Sequence, residues 1–209
     1  MKRFIDKFTR FYGNAPTAAA MAPGRLEILG NHTDYNQGFV LSCAVAQNTA
    51  FALKRTEGTV CTLHDFRSGK TMEFDLADLD DVPPNGSRYV KGMIKELAKR
   101  GFEVTAFNAA IESTVPLSAG MSSSAALETA AGYAIGKEFG IELDKAEWVF
   151  LLVMCIAVDV ASAIFMPWLL RNSKSSKQYG FTGTFTSSIF TTIPTLSLTK
   201  AENSSSVFL

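Results

Sequence analysis

Residues 22–38, APGRLEILGNHTDYNQG, gather Arg25, Asn31, His32, Asp34, Tyr35 and Asn36 into one short segment between apolar runs. Arg25 could stabilise a transferring phosphoryl group or pair with an acid. His32 and Asp34 could donate to and accept from the hydroxyls of a sugar. The alternative is local, because Thr-Asp-Tyr-Asn-Gln-Gly is also good turn chemistry. A second segment, PLSAGMSSSAALE from Pro116 to Glu128, has parts suited to phosphate. It lacks the GxxxxGKS or GxxxxGKT pattern and so is not a Walker A loop. Gly120 lets backbone approach a ligand, and Ser122, Ser123 and Ser124 offer hydroxyls and N–H groups at a helix start, where the macrodipole favours anions. Glu128 follows Ser124 by four residues and shares its helix face, so the pair could hold Mg²⁺ beside phosphates. The alternative is a serine-rich cap on a helix with a solvated glutamate.

The elements that must position these groups are legible in outline. Residues 1–16 predict a short amphipathic helix with Phe4, Phe8 and Phe11 or Tyr12 on one face, ended by Gly13, Asn14 and Pro16. Residues 17–29 predict the strand that enters the polar segment. Residues 39–75 predict a strand meander, with Phe51 and Leu53 alternating with Ala50, Ala52 and Lys54, and with turns at Glu57-Gly58 and at Arg67 to Gly69. Residues 76–86 predict a loop. Ser87 fits an N-cap before Tyr89, Val90, Met93, Ile94 and Leu97 at helical spacing, and Gly101 fits a C′ glycine. Val104 to Ser113 predicts a strand. A helix of small residues runs from about Ala125 to Phe139, closed by Gly140, and 144–157 begin another helix with Asp144 as its cap. Helix stripes such as Met93, Ile94 and Leu97 are core, and His64 is an ordinary sheet histidine.

The 209 residues suffice for one large domain or two small ones. With 20 basic and 20 acidic side chains there is no basic field to draw nucleic acid. Cys43, Cys61 and Cys155 are odd in number and scattered. They suit a reducing cytosol, as buried thiols rather than a metal set or disulfide framework. The N-terminus has no apolar stretch of the secretory kind.

Taken together, the two segments resemble the GHMP kinase superfamily and, within it, the galactokinases. The first is similar to the galactokinase signature, approximately GR-x-N-L-I-G-E-H-T-D-Y-N-x-G, at Gly24, Arg25, Gly30, His32, Thr33, Asp34, Tyr35, Asn36 and Gly38. The second resembles the superfamily's phosphate loop, P-x-x-x-G-L-S-S-S-A-x-x-E. The resemblance covers about residues 1–148. It implies an α+β fold, with an N-terminal domain like ribosomal protein S5 domain 2 and a ferredoxin-like C-terminal domain for which this sequence has no counterpart. It implies transfer of the γ-phosphoryl group of ATP to the C1 hydroxyl of galactose with Mg²⁺, in the cytoplasm. Arg25 would lie beside the C1 oxygen and serve catalysis. Asn31, His32 and Asp34 would bind sugar hydroxyls. Pro116, Ser118, Ala119, Gly120, Met121, Ser122, Ser123 and Ser124 would bind ATP, and Ser124 with Glu128 would hold the metal.

Two departures stand out. Asn31 replaces a sugar-binding glutamate of the pattern, which puts the preferred epimer in doubt, and another monosaccharide is an alternative substrate. No G-x-x-x-G-x-x-D-Q motif follows the helix near Asp144, so the family's aspartate is not found, and Asp159 is not assigned its role. Beyond Trp148 charged residues fall to about a tenth, against about a quarter in ordinary globular sequence. One account is an altered reading frame or truncation over 149–209, without regular periodicity. The lesser account is a membrane anchor at 149–170, against which Asp159 would cost about 3 kcal/mol at mid-span. The leading functional expectation is a galactokinase-type sugar 1-kinase, weakly active or inactive as this chain alone. A non-catalytic sugar or nucleotide sensor and a non-functional product are the competing expectations.

Overall fold

A computed structural model describes residues 1–30, 39, 41–81, 85–117, 119–148, 151–152, 197–200 and 207–208, the last two segments in backbone only. The elements run α1 (Lys2–Tyr12), β1 (Ala18–Leu29), β2 (Leu41–Arg55), β3 (Val60–Asp65), β4 (Lys70–Asp75), α2 (Ser87–Lys99), β5 (Phe107–Ser113), α3 (Ser123–Phe139), β6 (Ser197–Lys200) and β7 (Val207–Phe208). The strands form one sheet in the order β4-β3-β5-β2-β1-β6-β7.

Alternation along the strands separates two cores. On one face, Ala20, Ala22, Phe51, Leu53, Leu63, Phe107, Ala109 and Ile111 pack against α2 and α3. On the other, Ala19, Ala50, Ala52 and Ala110 present only methyl groups, and Phe4 and Phe8 of α1 settle on them. The alternation at 50–54 therefore has two meanings: large side chains face the helix pair, and small ones make room for α1. The Tyr12 hydroxyl donates to the Ala109 carbonyl at 2.7 Å, and Lys7 pairs with Glu112. Burial pushes the Tyr12 phenol up to about 12.

The expected meander is corrected at one point. β3 and β4 form the expected hairpin, Asp65 opposite Lys70. β2 and β3 do not pair, however. β5 lies between them, antiparallel to β2 and parallel to β3. The physical reason lies in β5 itself. Phe107, Ala109, Ala110 and Ile111 are buried on both faces, a pattern that fits a central strand. β4 buries only Phe74 and carries Lys70, Glu73 and Asp75, as an edge requires. Beyond residue 171, where no regular element is expected, β6 pairs antiparallel with β1, Ala18 opposite Lys200, and β7 pairs with β6.

The helix caps differ in detail from expectation. The N-cap of α2 is Gly86, without a side-chain cap bond, and Ser87 is the first helical residue. Asn85, one residue further back, accepts through Oδ1 from the Ser87 N–H at 2.9 Å and from its hydroxyl at 2.6 Å. At the other end Phe102 N–H reaches the Leu97 carbonyl and Gly101 N–H the Ala98 carbonyl, a Schellman pair with Gly101 at φ 84°. Asp144 and Glu147 exchange side-chain and backbone hydrogen bonds as a capping box for the helical residues that follow. Those residues bring Trp148 onto α3 over Gly132 and Gly136, with the Tyr133 ring stacked on it at 5.0 Å. Leu151 and Leu152 join the same core, past the expected domain limit at Trp148. The rest of the candidate span 149–170 lies outside the described residues, as does Cys155. Among the described residues no helix is long and apolar enough to cross a membrane.

Two tests follow from this packing. A Cβ on Gly136 would lie 2.7 Å from the Trp148 ring. Gly136→Ala should therefore cost about 1–3 kcal/mol by overpacking, despite the higher helix propensity of alanine; an unchanged urea midpoint would refute the fit. The second concerns His64, which is buried, stacked on Phe11 at 3.9 Å and bonded through Nδ1 to Thr71 Oγ1 at 2.9 Å. Desolvation lowers its pKa from 6.5, against the opposing pull of Asp65. The folded chain thus keeps His64 neutral where the unfolded chain binds a proton. Its contribution is complete above pH 6.5 and is lost as pH falls below that value toward the folded pKa. Melting temperature should fall from pH 7 to pH 5 in the wild type and fall less in His64→Gln.

Candidate functional site

The site is built where β1 meets the loop that opens α3. Arg25 lies on β1, opposite Ala44 of β2, between two register shifts at Pro23/Arg25 and Glu27/Leu29. Its backbone N–H donates to the Met121 carbonyl at 3.1 Å. That bond requires close approach, and Gly24 permits it. A Cβ at Gly24 would lie 2.9 Å from the Met121 oxygen and 3.2 Å from side-chain carbons of both Val115 and Val45. The two segments singled out by residue type are thus in direct contact.

The serine loop has an unusual backbone. Gly120 has φ 69° and Ser122 φ 55°, so left-handed residues flank Met121 on both sides. Ser122 is the one non-glycine residue at positive φ among the described residues. Such a conformation costs about 1–2 kcal/mol and collects at functional sites. Ser122 is the N-cap of α3 but makes no side-chain cap bond. The first-turn N–H groups of a 17-residue helix therefore face the loop without help from that hydroxyl. The loop is anchored at its start as well, where Arg67 Nη1 donates to the Val115 carbonyl at 2.7 Å.

Pro116, Ala119 and Gly120 are exposed, and Met121, Ser122, Ser123 and Ser124 are half-buried. Glu128 departs from the solvated alternative: it is fully buried, so the fourth-residue spacing points it into the fold. Asn31, His32, Asp34 and Ser118 lie outside the described residues. One neighbour was not singled out from sequence. Arg25 Nη2 donates to Glu27 Oε2 at 3.1 Å. The signal was available, since residues two apart on a strand share a face.

Comparison with known proteins covers both segments. Residues 6–55 match the galactokinase galactose-binding signature, and residues 88–166 match the GHMP kinases N terminal domain. A galactokinase from Staphylococcus carnosus is 36% identical over 150 residues, 70% of this chain and 39% of that protein. One from Thermotoga maritima is 35% identical over 153 residues, 69% of this chain and 42% of that protein. The chain thus spans about two fifths of the length of these relatives. Among solved structures, a Lactococcus lactis galactokinase complexed with galactose superposes with a TM-score of 0.66 at 29% identity, over 75% of this chain and 42% of that one. A Methanococcus jannaschii mevalonate kinase superposes at 0.60 with 23% identity, over 66% of this chain and 45% of that one, and shares the fold.

Gly24→Ala tests the junction. The added carbon meets a backbone oxygen that has little freedom to move, so the variant should lose about 1–3 kcal/mol. Amide exchange at Arg25 should rise well beyond the global change, and a melt indistinguishable from wild type would refute the close approach. With the junction, both family models and the shared fold in hand, the N-terminal part of this chain belongs to the GHMP kinase superfamily and, within it, to the galactokinases.

Proposed function

We propose that this chain supplies the sugar-facing and phosphate-facing elements of an ATP-dependent sugar 1-kinase of galactokinase type. The observation that carries the reading is the Arg25 N–H to Met121 carbonyl bond, which ties the galactose-signature strand to the serine loop at 3.1 Å. A kinase needs those two ligand regions within bonding reach of each other, and phosphoryl transfer depends chiefly on positioning and electrostatic stabilisation.

In this reading Pro116 to Ser124 cradle the nucleotide phosphates. The left-handed turns at Gly120 and Ser122 and the helix start behind them suit an anion. Arg25 lies beside the reacting sugar oxygen, where its cation favours the deprotonated nucleophile and opposes the charge that develops in transfer. Asn31, His32 and Asp34 hold the sugar hydroxyls. Asn31 both donates and accepts, so the epimer bound is set by its amide rather than by a carboxylate. Ser124 and Glu128 would hold Mg²⁺, whose usual shell is one or two protein oxygens completed by phosphate and water. Bound there, the metal would neutralise phosphate charge. The expected limit at 148, with the tail at 149–209, moves later in this reading, because Leu151 and Leu152 pack in the core and the family match runs to residue 166. A cytoplasmic setting belongs to the same proposal.

Calorimetry with galactose and with a non-hydrolysable ATP analogue plus Mg²⁺, followed by a coupled assay, tests the reading. Binding of both ligands is the expected result, and the absence of heat with either would refute it. Binding with little or no turnover fits a chain that is weakly active or inactive alone, and near-normal kcat would overturn that reading of the tail. Where turnover is measurable, Arg25→Ala should lower kcat about a hundredfold or more with a smaller change in KM for the sugar.

A further inference from the structure

Arg25 does not stand alone in its strand. Register shifts bracket residues 25–27, and such irregularities turn side chains away from the regular pleat. Within that bracket Arg25 and Glu27 share a face, and their side chains meet at 3.1 Å. Glu27 is the more enclosed partner, its side chain 17% exposed against 36% for Arg25. The bond is made through Nη2, and Arg25 Nε is buried without an acceptor among the described residues. The guanidinium is therefore committed at one corner to a carboxylate while its backbone is fastened to the serine loop. The signature written above has asparagine at the position of Glu27 and glutamate at that of Asn31. This chain has the reverse, so the negative charge comes four residues earlier in the chain, at the partner of Arg25.

We propose that Glu27 is a positioning residue that restrains Arg25 and sets the affinity of the serine loop for a nucleoside triphosphate. A phosphate oxygen and the Glu27 carboxylate compete for the same guanidinium. While the pair holds, part of the charge and part of the donor fork of Arg25 are withheld from phosphate. The inference rests on reading the serine loop as a phosphate cradle.

The test is binding of a non-hydrolysable ATP analogue with Mg²⁺ to the full chain and its variants, each checked for an unaltered melt. Glu27→Gln and Glu27→Asn should bind roughly threefold to fivefold tighter than wild type, the scale of a half-exposed ion pair. Glu27→Asp should stay near wild type. In an Arg25→Gln background, Glu27→Gln should change affinity little, because Glu27 acts through Arg25. A merely structural glutamate would give weaker binding on substitution, not stronger. If the wild type binds and Glu27→Gln binds equally or more weakly, the restraint is overturned and the phosphate-cradle reading survives. If neither the wild type nor Glu27→Gln binds, both fall together.

Discussion

At Gly24, β1 comes so near the serine loop that no side chain fits between them. The Arg25 amide and the Met121 carbonyl meet there, in a space walled by Val115 and Val45. Much of the remaining structure bears on this contact. The sheet holds β1 from one side through β2, and α3 lies across both strands. The left-handed turns at Gly120 and Ser122 flank the residue whose carbonyl makes the bond. The loop's first residues are fixed by Arg67, which reaches from the β3–β4 turn. A galactokinase-like strand and a kinase-like loop are thus joined through their backbones.

The three layers explain how so small a sheet supports this. Alanines on one face let α1 lie close, and bulkier residues on the other fill the space beneath α2 and α3. α3 is itself rich in alanine and glycine, so it sits low on β1 and β2 and brings its N-terminus down to the strand carrying Arg25. The same small residues open the notch over Gly132 and Gly136 that receives Trp148. One compositional choice therefore serves both the core and the site.

Much of this was legible in the sequence, and the losses have physical causes. Helices α1, α2 and α3 followed from apolar spacing and terminal glycines, because those signals are local. The N-cap of α2 falls on Gly86 rather than Ser87, whose N–H and hydroxyl are both taken by Asn85 Oδ1. The place of β5 was not legible: pairing across a sheet depends on which strands are apolar on both faces, and the Glu57-Gly58 turn says only that the chain bends. β6 was equally hidden, since a strand added from far along the chain leaves no periodicity in a Ser/Thr-rich segment. Residue type points to Arg25 and the serine loop, whereas Glu27 reads as one charge in an apolar run. Glu128 was recognised, whereas its burial was not, because spacing gives the face of a helix and not the depth of its neighbours.

The position of β5 has a consequence for how the domain is made. β1 and β2 can pair as soon as both exist, and β3 and β4 can form their hairpin soon after. Among the described strands, the two units pair only through Phe107–Ser113, which lies between them. Through the synthesis of α2 the β3–β4 hairpin therefore waits with an open edge, and the loop-closure cost of the parallel β3–β5 pair is met only once β5 arrives. The serine loop follows β5 directly in the chain. The strand that joins the two units thus also delivers the loop, so in this fold the loop reaches β1 only after β5 is made.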